Sequence, residues 1–346
     1  MGEKLLKFER AVYLAATASV VGRREHEGPL GALFDLHDLT DKFGMKTWEL
    51  AEGEMQRLAL RTALAKAAAE ERDVDLLFAG DLQNQCVGSS YGLLSFQIPY
   101  LGLYGACSTA AEGLMLAAAT VSAGYVETAA AVTSSHNCAA ERQYRTPLEY
   151  GAQRSPTAQW TVTGAGAFLV RPRGCVRIRE AMPGMVVEKG IHDASNMGAA
   201  MAPAAADTLA RYFRASGKAP SNFDLILTGD LGREGGEILC ELMAAEGIDL
   251  SSKYRDCGTL IYDLERQDVH AGGSGCGCSA VVLSAYLYPK LEAGELRDIL
   301  LLGTGAMMSP SSLQQGEAIP AVAHLIRLTR EEPARGCREE GMGWIG

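Results

Sequence analysis

The sequence predicts an α/β fold made of two copies of one unit. Residues 75–82 read DLLFAGDL and residues 224–231 read DLILTGDL, with five of eight positions identical at an offset of 149 residues. A Cys-Ser segment follows each copy, CSTA at 107–110 and CSA at 278–280. Each segment opens an apolar stretch that ends in Ala-Gly, as a helix does before a turn. The order strand, Cys-Ser helix, strand therefore occurs twice, and this alternation is typical of α/β layering.

Further elements follow in chain order. Residues 11–21 predict a first buried strand, because the run is apolar but too short to span a membrane. The spacing of apolar residues at 54–72 predicts a strong amphipathic helix, and 237–246 resemble it less clearly in the second copy. Strand-like runs at 128–135 and 298–305 come after the two Cys-Ser helices.

A chain of 346 residues has the length of about two typical domains. We predict an N-terminal half at 1–172, a C-terminal half at 173–330 and a mobile tail at 331–346. Residues 142–163 contain two prolines, two tyrosines and Trp160, so they predict a long ordered insertion rather than a linker.

Composition and charge exclude several classes of protein. Apolar residues make up 47% and charged residues 21%, which excludes intrinsic disorder. A net charge of −10 without a basic cluster argues against nucleic acid as a partner. We expect no signal peptide and no transmembrane segment, so any membrane association would be peripheral. The nine scattered cysteines suit a reducing compartment, and Cys276 and Cys278 lack a second ligand pair, so no metal site is predicted.

Cys107 is the strongest candidate for a functional side chain. It lies between a turn of small residues and an Ala-rich helix in LGLYGACSTAAEGLMLAAATVSAG (101–124). Unpaired backbone N–H groups and the positive end of the helix dipole favour a thiolate at such a position. An acyl-accepting nucleophile needs a thiolate. The alternative is a small residue required for close packing, and the sequence leaves both open.

A nucleophile of this kind also needs a base and hydrogen-bond donors for an oxyanion. Of the six histidines, His136 is the best placed, because it follows the strand-like run TAAAVTSS and α/β folds bind ligands at strand ends. The sequence GSSYG at 88–92 matches the hydrolase pattern G-x-S-x-G, but no strand directly precedes it, so a hydrolase is disfavoured.

These features resemble the thiolase-fold proteins, especially β-ketoacyl synthase III, in the doubled unit, the Gly-Ala-Cys-Ser helix start and GAGAFLV at 164–170. The chain is more closely similar to one branch, the stage V sporulation protein AD family. Long strings spread over most of the chain carry this second resemblance: IPYLGLYGACSTAAEGL (98–114), VTSSHN (132–137), RTPLEYGAQRSPTAQWTVTGAGA (145–167), NMGAAMAPAAADT (196–208) and TGDLG (228–232).

The resemblance implies a thiolase-like, five-layered α-β-α-β-α fold built from two duplicated halves. It implies non-catalytic binding of dipicolinic acid (pyridine-2,6-dicarboxylate), or of its calcium chelate, for uptake into the developing spore. The protein would be a soluble component of a transport complex, peripheral at the spore inner membrane, with membrane proteins as partners. A homodimer is also implied, and no cofactor is expected apart from Ca²⁺ that could arrive with the ligand.

The chain departs from the synthases at two positions. Their catalytic histidine follows the second-half strand, where DLILTGDLG offers Gly229 and Asp230 instead. Their catalytic asparagine precedes the last helix, where AGGSGCGCS (271–279) contains none. Cys107 matches the nucleophile and His136 does not match the missing histidine. Because each lost donor is worth on the order of 10²–10³ in rate, we expect a former acyltransferase pocket that now only binds.

Dipicolinate is a flat dianion, so its site needs donors for two carboxylates and an apolar or aromatic wall for the ring. The expected donors lie at the helix start, at a strand end and in the insertion, and Asp230 could cap a helix or contact calcium. The predicted ligand-binding residues are Cys107, Ser108, Ser135, His136, Asn137, Arg142, Arg145, Arg154, Asp230 and Ser274. For each arginine, a solvated surface charge is an equal alternative.

Two other functions stay open from the sequence. One is an active acyltransferase or condensing enzyme that uses Cys107 as its nucleophile. The other is a scaffold that only assembles membrane partners and keeps an unused pocket.

Overall fold

The computed structural model describes residues 4–144 and 154–331. Arg145 and nearly all of the predicted mobile tail, from residue 332 onward, lie outside the described residues. The helices and strands below belong to the described ranges.

The strands lie throughout both halves. In chain order they are β1 (Leu6–Lys7), β2 (Tyr13–Gly22), β3 (Leu36–Asp38), β4 (Leu76–Gly80), β5 (Tyr100–Leu103), β6 (Ala129–Ser135), β7 (Trp160–Thr161), β8 (Gly164–Arg171), β9 (Val176–Met182), β10 (Leu225–Thr228), β11 (Tyr254–Asp256), β12 (Gly273–Ser274), β13 (Asp298–Ala306) and β14 (Ala321–Arg330).

The helices alternate with the strands in most of the chain. They are α1 (Arg23–His26), α2 (Trp48–Lys66), α3 (Val87–Gly92), α4 (Thr109–Ser122), α5 (Asn137–Tyr144), α6 (Met197–Ser216), α7 (Gly232–Ala245), α8 (Cys257–Ile261), α9 (Cys276–Val282), α10 (Tyr288–Ala293) and α11 (Pro310–Gln314). A π-helical turn at Leu283–Leu287 joins α9 to α10, so the two form one continuous helix.

Two sets of five strands share one pairing pattern. Their orders are β5-β4-β6-β8-β2 and β11-β10-β13-β14-β9. In each set the first three strands run parallel and the next two pair antiparallel. The first set comes from residues 1–172 and the second from 173–330, so the predicted duplication is confirmed. A short pairing of β2 with β9, through Tyr13–Arg177 and Leu14–Val176, joins the two sets at their edges.

The helices form three layers around these two sets of strands. In the central layer α4 and α9 pack against strands of both sets, and Leu114, Phe168, Val281 and Leu301 belong to one buried cluster there. Outside the first set lie α2 and α3, and outside the second lie α6 and α7. The expected five-layered α-β-α-β-α, thiolase-like architecture is therefore confirmed.

Several predicted elements shift at their ends. The strand predicted at 11–21 is confirmed as β2, but the helix predicted at 54–72 is α2, which begins earlier, at Trp48. Thr47 fixes that start because its side chain accepts a hydrogen bond from the Leu50 N–H at 3.3 Å. GSSYG lies inside α3, with a 3₁₀ turn and no strand directly before it, which agrees with rejecting a hydrolase motif.

Glycines in the strands let the central helices approach closely. A Cβ atom at Gly166 would lie 2.7 Å from the Ala280 Cβ and 2.9 Å from the Ala280 carbonyl oxygen. The same holds at Gly303, where a Cβ would lie 2.8 Å from the Ala111 Cβ. Contacts shorter than 3 Å need the backbone to move, so these glycines set the spacing of the central layer.

Gly166→Ala is expected to lower the free energy of unfolding by about 1–3 kcal/mol, because it overpacks β8 against α9. Urea unfolding followed by circular dichroism measures this. Gly113→Ala in α4 is the matched control, since its Cβ would meet the Ala131 Cβ at an ordinary 3.4 Å. The control should be neutral or more stable by up to about 1 kcal/mol. Equal losses in both variants would contradict the packing argument.

Candidate functional site

A cavity of about 130 Å³ opens at Cys107, between residues of the two halves. Its size compares with the roughly 150 Å³ of an engineered cavity that holds benzene, so it suits a molecule with one ring. The lining is mainly apolar with a few polar side chains, and consists of Leu82, Tyr104, Ala106, Cys107, Ala140, Glu141, Tyr144, Gln159, Thr161, Ala194, Ser195, Met197, Ser274, Ala306 and Met308.

A tight turn before α4 presents Cys107 to this cavity. Ala106 has a φ of 48°, in the left-handed region that a residue with a side chain seldom adopts. Side-chain hydrogen bonds hold the turn: the Ser108 hydroxyl donates to the Gly105 carbonyl at 2.6 Å, and the Thr109 hydroxyl donates to the Ala106 carbonyl at 2.7 Å. Ser108 is therefore buried in the turn and does not line the cavity.

The surroundings of Cys107 favour a neutral thiol. Burial raises its pKa well above the usual range, and the negative charge of Asp230 raises it further. The Asp230 carboxylate hydrogen-bonds this thiol and also accepts from the Gly275 N–H at 2.9 Å and the Thr304 hydroxyl at 2.7 Å. Burial raises the pKa of Asp230 to about 6. Of the two interpretations that the sequence left open for Cys107, these surroundings favour the neutral side chain, because desolvation and a neighbouring carboxylate both oppose a thiolate.

Gln159 is a buried polar side chain of the lining that the sequence analysis missed. Its Nε2 donates to the Asp230 carbonyl at 2.7 Å and to the Gly273 carbonyl at 3.0 Å. Its Oε1 is buried and accepts no hydrogen bond. Pairing of β7 with β12, Trp160 with Gly273 and Thr161 with Ser274, brings this segment to the cavity.

Two tyrosines form an aromatic wall. The Tyr104 and Tyr144 hydroxyls lie 2.9 Å apart, and the Tyr144 hydroxyl donates to the Leu82 carbonyl at 2.6 Å. Both rings also border a second opening, lined in part by Met307, Met308 and Pro310. The tyrosine pair thus separates the cavity from this outer groove.

The strand-end residues predicted for the site lie elsewhere. The Ser135 hydroxyl donates to the Val162 carbonyl at 2.7 Å, and the Asn137 N–H donates to the Thr163 hydroxyl at 3.1 Å. His136 is fully buried, its Nε2 hydrogen-bonds the Asp41 carbonyl at 2.8 Å, and burial lowers its pKa. The structure does not place these three side chains on the cavity.

The described arginines of the insertion also lie away from the cavity. Arg142 forms an ion pair with Glu49, and Arg154 pairs with Asp268 at 2.8 Å and stacks on Trp160. Arg145 lies outside the described residues. Of the ten predicted residues, the structure brings together Cys107 and Ser274 on the lining and Asp230 directly behind the thiol.

The described residues contain neither a metal-ligating cluster nor a helix suited to spanning a membrane. No group of three or more His, Cys, Asp and Glu side chains in residues 4–144 and 154–331 is arranged to hold a metal ion. Within the same ranges, no helix has the length and apolar character that crossing a membrane requires.

Comparison with known proteins places this chain in a family. The family model described as "Stage V sporulation protein AD (SpoVAD)" matches residues 2–329. The chain belongs to this family. It is 42% identical over 330 residues to stage V sporulation protein AD of Bacillus subtilis (strain 168), covering 95% of this chain and 97% of that protein.

Solved structures share the fold of this family member at low sequence identity. OleA of Xanthomonas campestris is 16% identical with a TM-score of 0.58, covering 94% of this chain and 99% of that one. The 3-oxoacyl-[acyl-carrier-protein] synthase III of Aquifex aeolicus VF5 is 11% identical with a TM-score of 0.55, covering 92% and 99%. At these identities the likeness shows the fold alone.

Asp230→Asn is expected to speed the alkylation of Cys107 by iodoacetamide several-fold at pH 8. The substitution removes the charge that raises the pKa of the thiol, while burial still keeps Cys107 slower than an exposed cysteine. Mass spectrometry of the Cys107 peptide over time gives the rate. Glu237→Gln removes an exposed charge elsewhere and should leave the rate unchanged. An unchanged rate in Asp230→Asn would contradict the assigned electrostatics.

Proposed function

We propose that the protein binds dipicolinic acid, or its calcium chelate, without catalysis during sporulation. The observation that carries the proposal is a cavity of one-ring size beside the buried Cys107 thiol, in a member of the stage V sporulation protein AD family. Tyr104, Tyr144 and Met308 supply walls for a flat ring. Thr161, Ser195 and Ser274 supply hydroxyl groups that can donate to carboxylate oxygens.

The state of Cys107 supports a binding role over an acyltransferase. A nucleophile needs a thiolate, and the pKa of this thiol is raised well above its usual range. No histidine lines the cavity among the described residues, so no imidazole there can take the thiol proton. The acyltransferase remains the alternative, and a covalent adduct on Cys107 after incubation with acyl-CoAs would favour it.

We propose further that the protein acts in dipicolinate uptake at the spore inner membrane, as a peripheral partner of membrane proteins. Membership of the sporulation family supports a role in spore formation. In this proposal, binding to membrane proteins holds the protein at the membrane, because a peripheral protein is located by the partners that it binds.

We propose that the protein forms a homodimer in which β5 contacts a second copy of the chain. This strand lies at the edge of the sheet, where its outer N–H and C=O groups face away from β4. The strand itself exposes apolar side chains, since Tyr100 is 38% and Leu101 50% exposed. Such a patch beside an open strand edge suits a two-fold interface.

The purified protein is expected to bind dipicolinate saturably in calorimetry, and Ala140→Phe should weaken this binding by about tenfold or more. Ala140 lies on the lining, so the larger ring would occupy the space that the ligand needs. Arg142→Ala is the control, because its side chain pairs with Glu49 away from the cavity. No binding by the unmodified protein, with or without calcium, would contradict the proposal.

Ala140→Phe also distinguishes a ligand-binding function from a purely scaffolding function. Sporulating cells that carry Ala140→Phe should accumulate less dipicolinate in their spores. Normal accumulation, with binding lost in vitro, would favour the scaffold.

Leu101→Glu is expected to convert a dimer to a monomer in size-exclusion chromatography with light scattering, because it places a charge in the proposed apolar interface. Tyr125→Glu is the control, since Tyr125 is 83% exposed, follows α4 and is not part of β5. A monomeric unmodified protein at micromolar concentration would contradict the homodimer.

A further inference from the structure

Arginines are concentrated at one end of the strands. The segment 171–179 reads RPRGCVRIR and contains four arginines without an acidic residue. Tyr13 at the start of β2 pairs with both Arg171 of β8 and Arg177 of β9, so these two arginines lie on either side of it. Arg330 at the end of β14 pairs with Val176 in the same place. We call the following six residues the arginine face: Arg10, Arg171, Arg173, Arg177, Arg179 and Arg330.

The arginine face and the cavity lie at opposite ends of the strands. Ala306 lines the cavity and pairs with Ala321 at the start of β14. At the other end of the same two strands, Thr329 pairs with Asp298 and is followed by Arg330. The ten residues of β14 span about 30 Å. A partner on the arginine face would therefore leave the cavity free.

Ion pairs within the protein compensate only part of this positive charge. Arg177 and Arg179 share one carboxylate, that of Glu331, at 2.8 and 2.9 Å. Arg173 is exposed and forms no ion pair or hydrogen bond with another described residue. The carboxylates that border the six arginines are Asp75, Glu127, Glu292 and Glu331. The arginine face thus keeps an excess of positive charge in a chain whose net charge is −10.

An exposed aromatic ring lies in the loop beside these arginines. Tyr125 is 83% exposed and belongs to the loop 123–128 between α4 and β6. Arg171 Nε donates to the Thr128 hydroxyl at 3.3 Å, which joins this loop to the arginine face. Tyrosine is enriched where proteins meet the interface between lipid and water, because its ring is apolar and its hydroxyl is polar. Arginines with a flanking tyrosine favour a bilayer surface over nucleic acid.

We propose that the arginine face binds the anionic headgroups of a phospholipid bilayer. This inference rests on the peripheral membrane location in the proposed function and adds a direct contact with lipid. A guanidinium group donates two parallel hydrogen bonds to a phosphate, and an anionic bilayer attracts clustered arginines. Because the chain as a whole is acidic, its other surfaces are repelled by such a bilayer. The protein would therefore dock in one orientation, with the cavity turned away from the lipid.

Co-sedimentation of the full chain with lipid vesicles tests the proposal. We expect binding to vesicles of phosphatidylglycerol and phosphatidylcholine in equal parts, and little binding to phosphatidylcholine alone. The binding should weaken as sodium chloride is raised, because salt screens the attraction. Equal binding to both kinds of vesicle, or none to either, would overturn this inference. Binding of a short DNA duplex without binding of vesicles would overturn it too. Dipicolinate calorimetry tests the proposed function separately, so each can fail without the other.

A pair of substitutions tests the surface assigned. Arg173→Gln with Arg179→Gln should weaken binding to the anionic vesicles about 25-fold, at about fivefold for each arginine. Arg61→Gln with Arg266→Gln is the matched control, because it removes the same charge from exposed positions outside the arginine face. Both double variants should keep the dipicolinate affinity of the unmodified protein.

The two double variants separate the arginine face from the net charge. Equal losses in both would show that net charge alone decides the binding and would overturn the assignment of the face. Unchanged binding of the first variant would overturn it as well. If circular dichroism shows that the first variant is unfolded, Arg173→Gln alone supplies the test, because this exposed side chain has no described partner to lose. The single variant should bind about fivefold more weakly, and unchanged binding would contradict the proposal.

Discussion

The buried carboxylate of Asp230 is the point on which the rest of the site depends. It follows β10 in the second half, and it holds the Gly275 N–H at the start of α9, the Thr304 hydroxyl of β13 and the Cys107 thiol of the first half. One side chain therefore ties together both halves and the central helical layer. The same contact keeps Cys107 neutral, because a proton between a thiol and a carboxylate in a dry environment stays on the thiol. The contact of Asp230 with Cys107 therefore both links the two halves and makes the Cys107 thiol a poorer nucleophile.

The duplicated fold gives this aspartate a counterpart with a different task. Asp81 follows β4 as Asp230 follows β10, but it accepts from the Gln83 N–H and from both the N–H and the hydroxyl of Ser89 at 2.6–2.8 Å. These contacts fix the short helix α3 and do not reach the cavity. Beside it, burial and the charge of Asp81 raise the pKa of Glu52, which favours the protonated form of that carboxyl. The repeated sequence thus preserved the position of an aspartate while its surroundings diverged.

Local patterns in the sequence predicted the repeat, the α/β layering and the candidate Cys107, from a repeated strand, helical spacing and a helix start. The five-layered arrangement was implied by the family resemblance. The sequence also predicted that residues at the strand end 134–137 line the site, because α/β folds bind ligands at the ends of strands. In the structure the polar side chains of that end are taken up by contacts within the protein. The Ser134 hydroxyl donates to Glu52, the Ser135 hydroxyl donates to the Val162 carbonyl, and His136 Nε2 hydrogen-bonds the Asp41 carbonyl. Gln159 reaches the cavity only because β7 pairs with β12, more than a hundred residues away. A contact between segments so far apart in the chain produces no local sequence pattern, since it depends on how the two halves pack together.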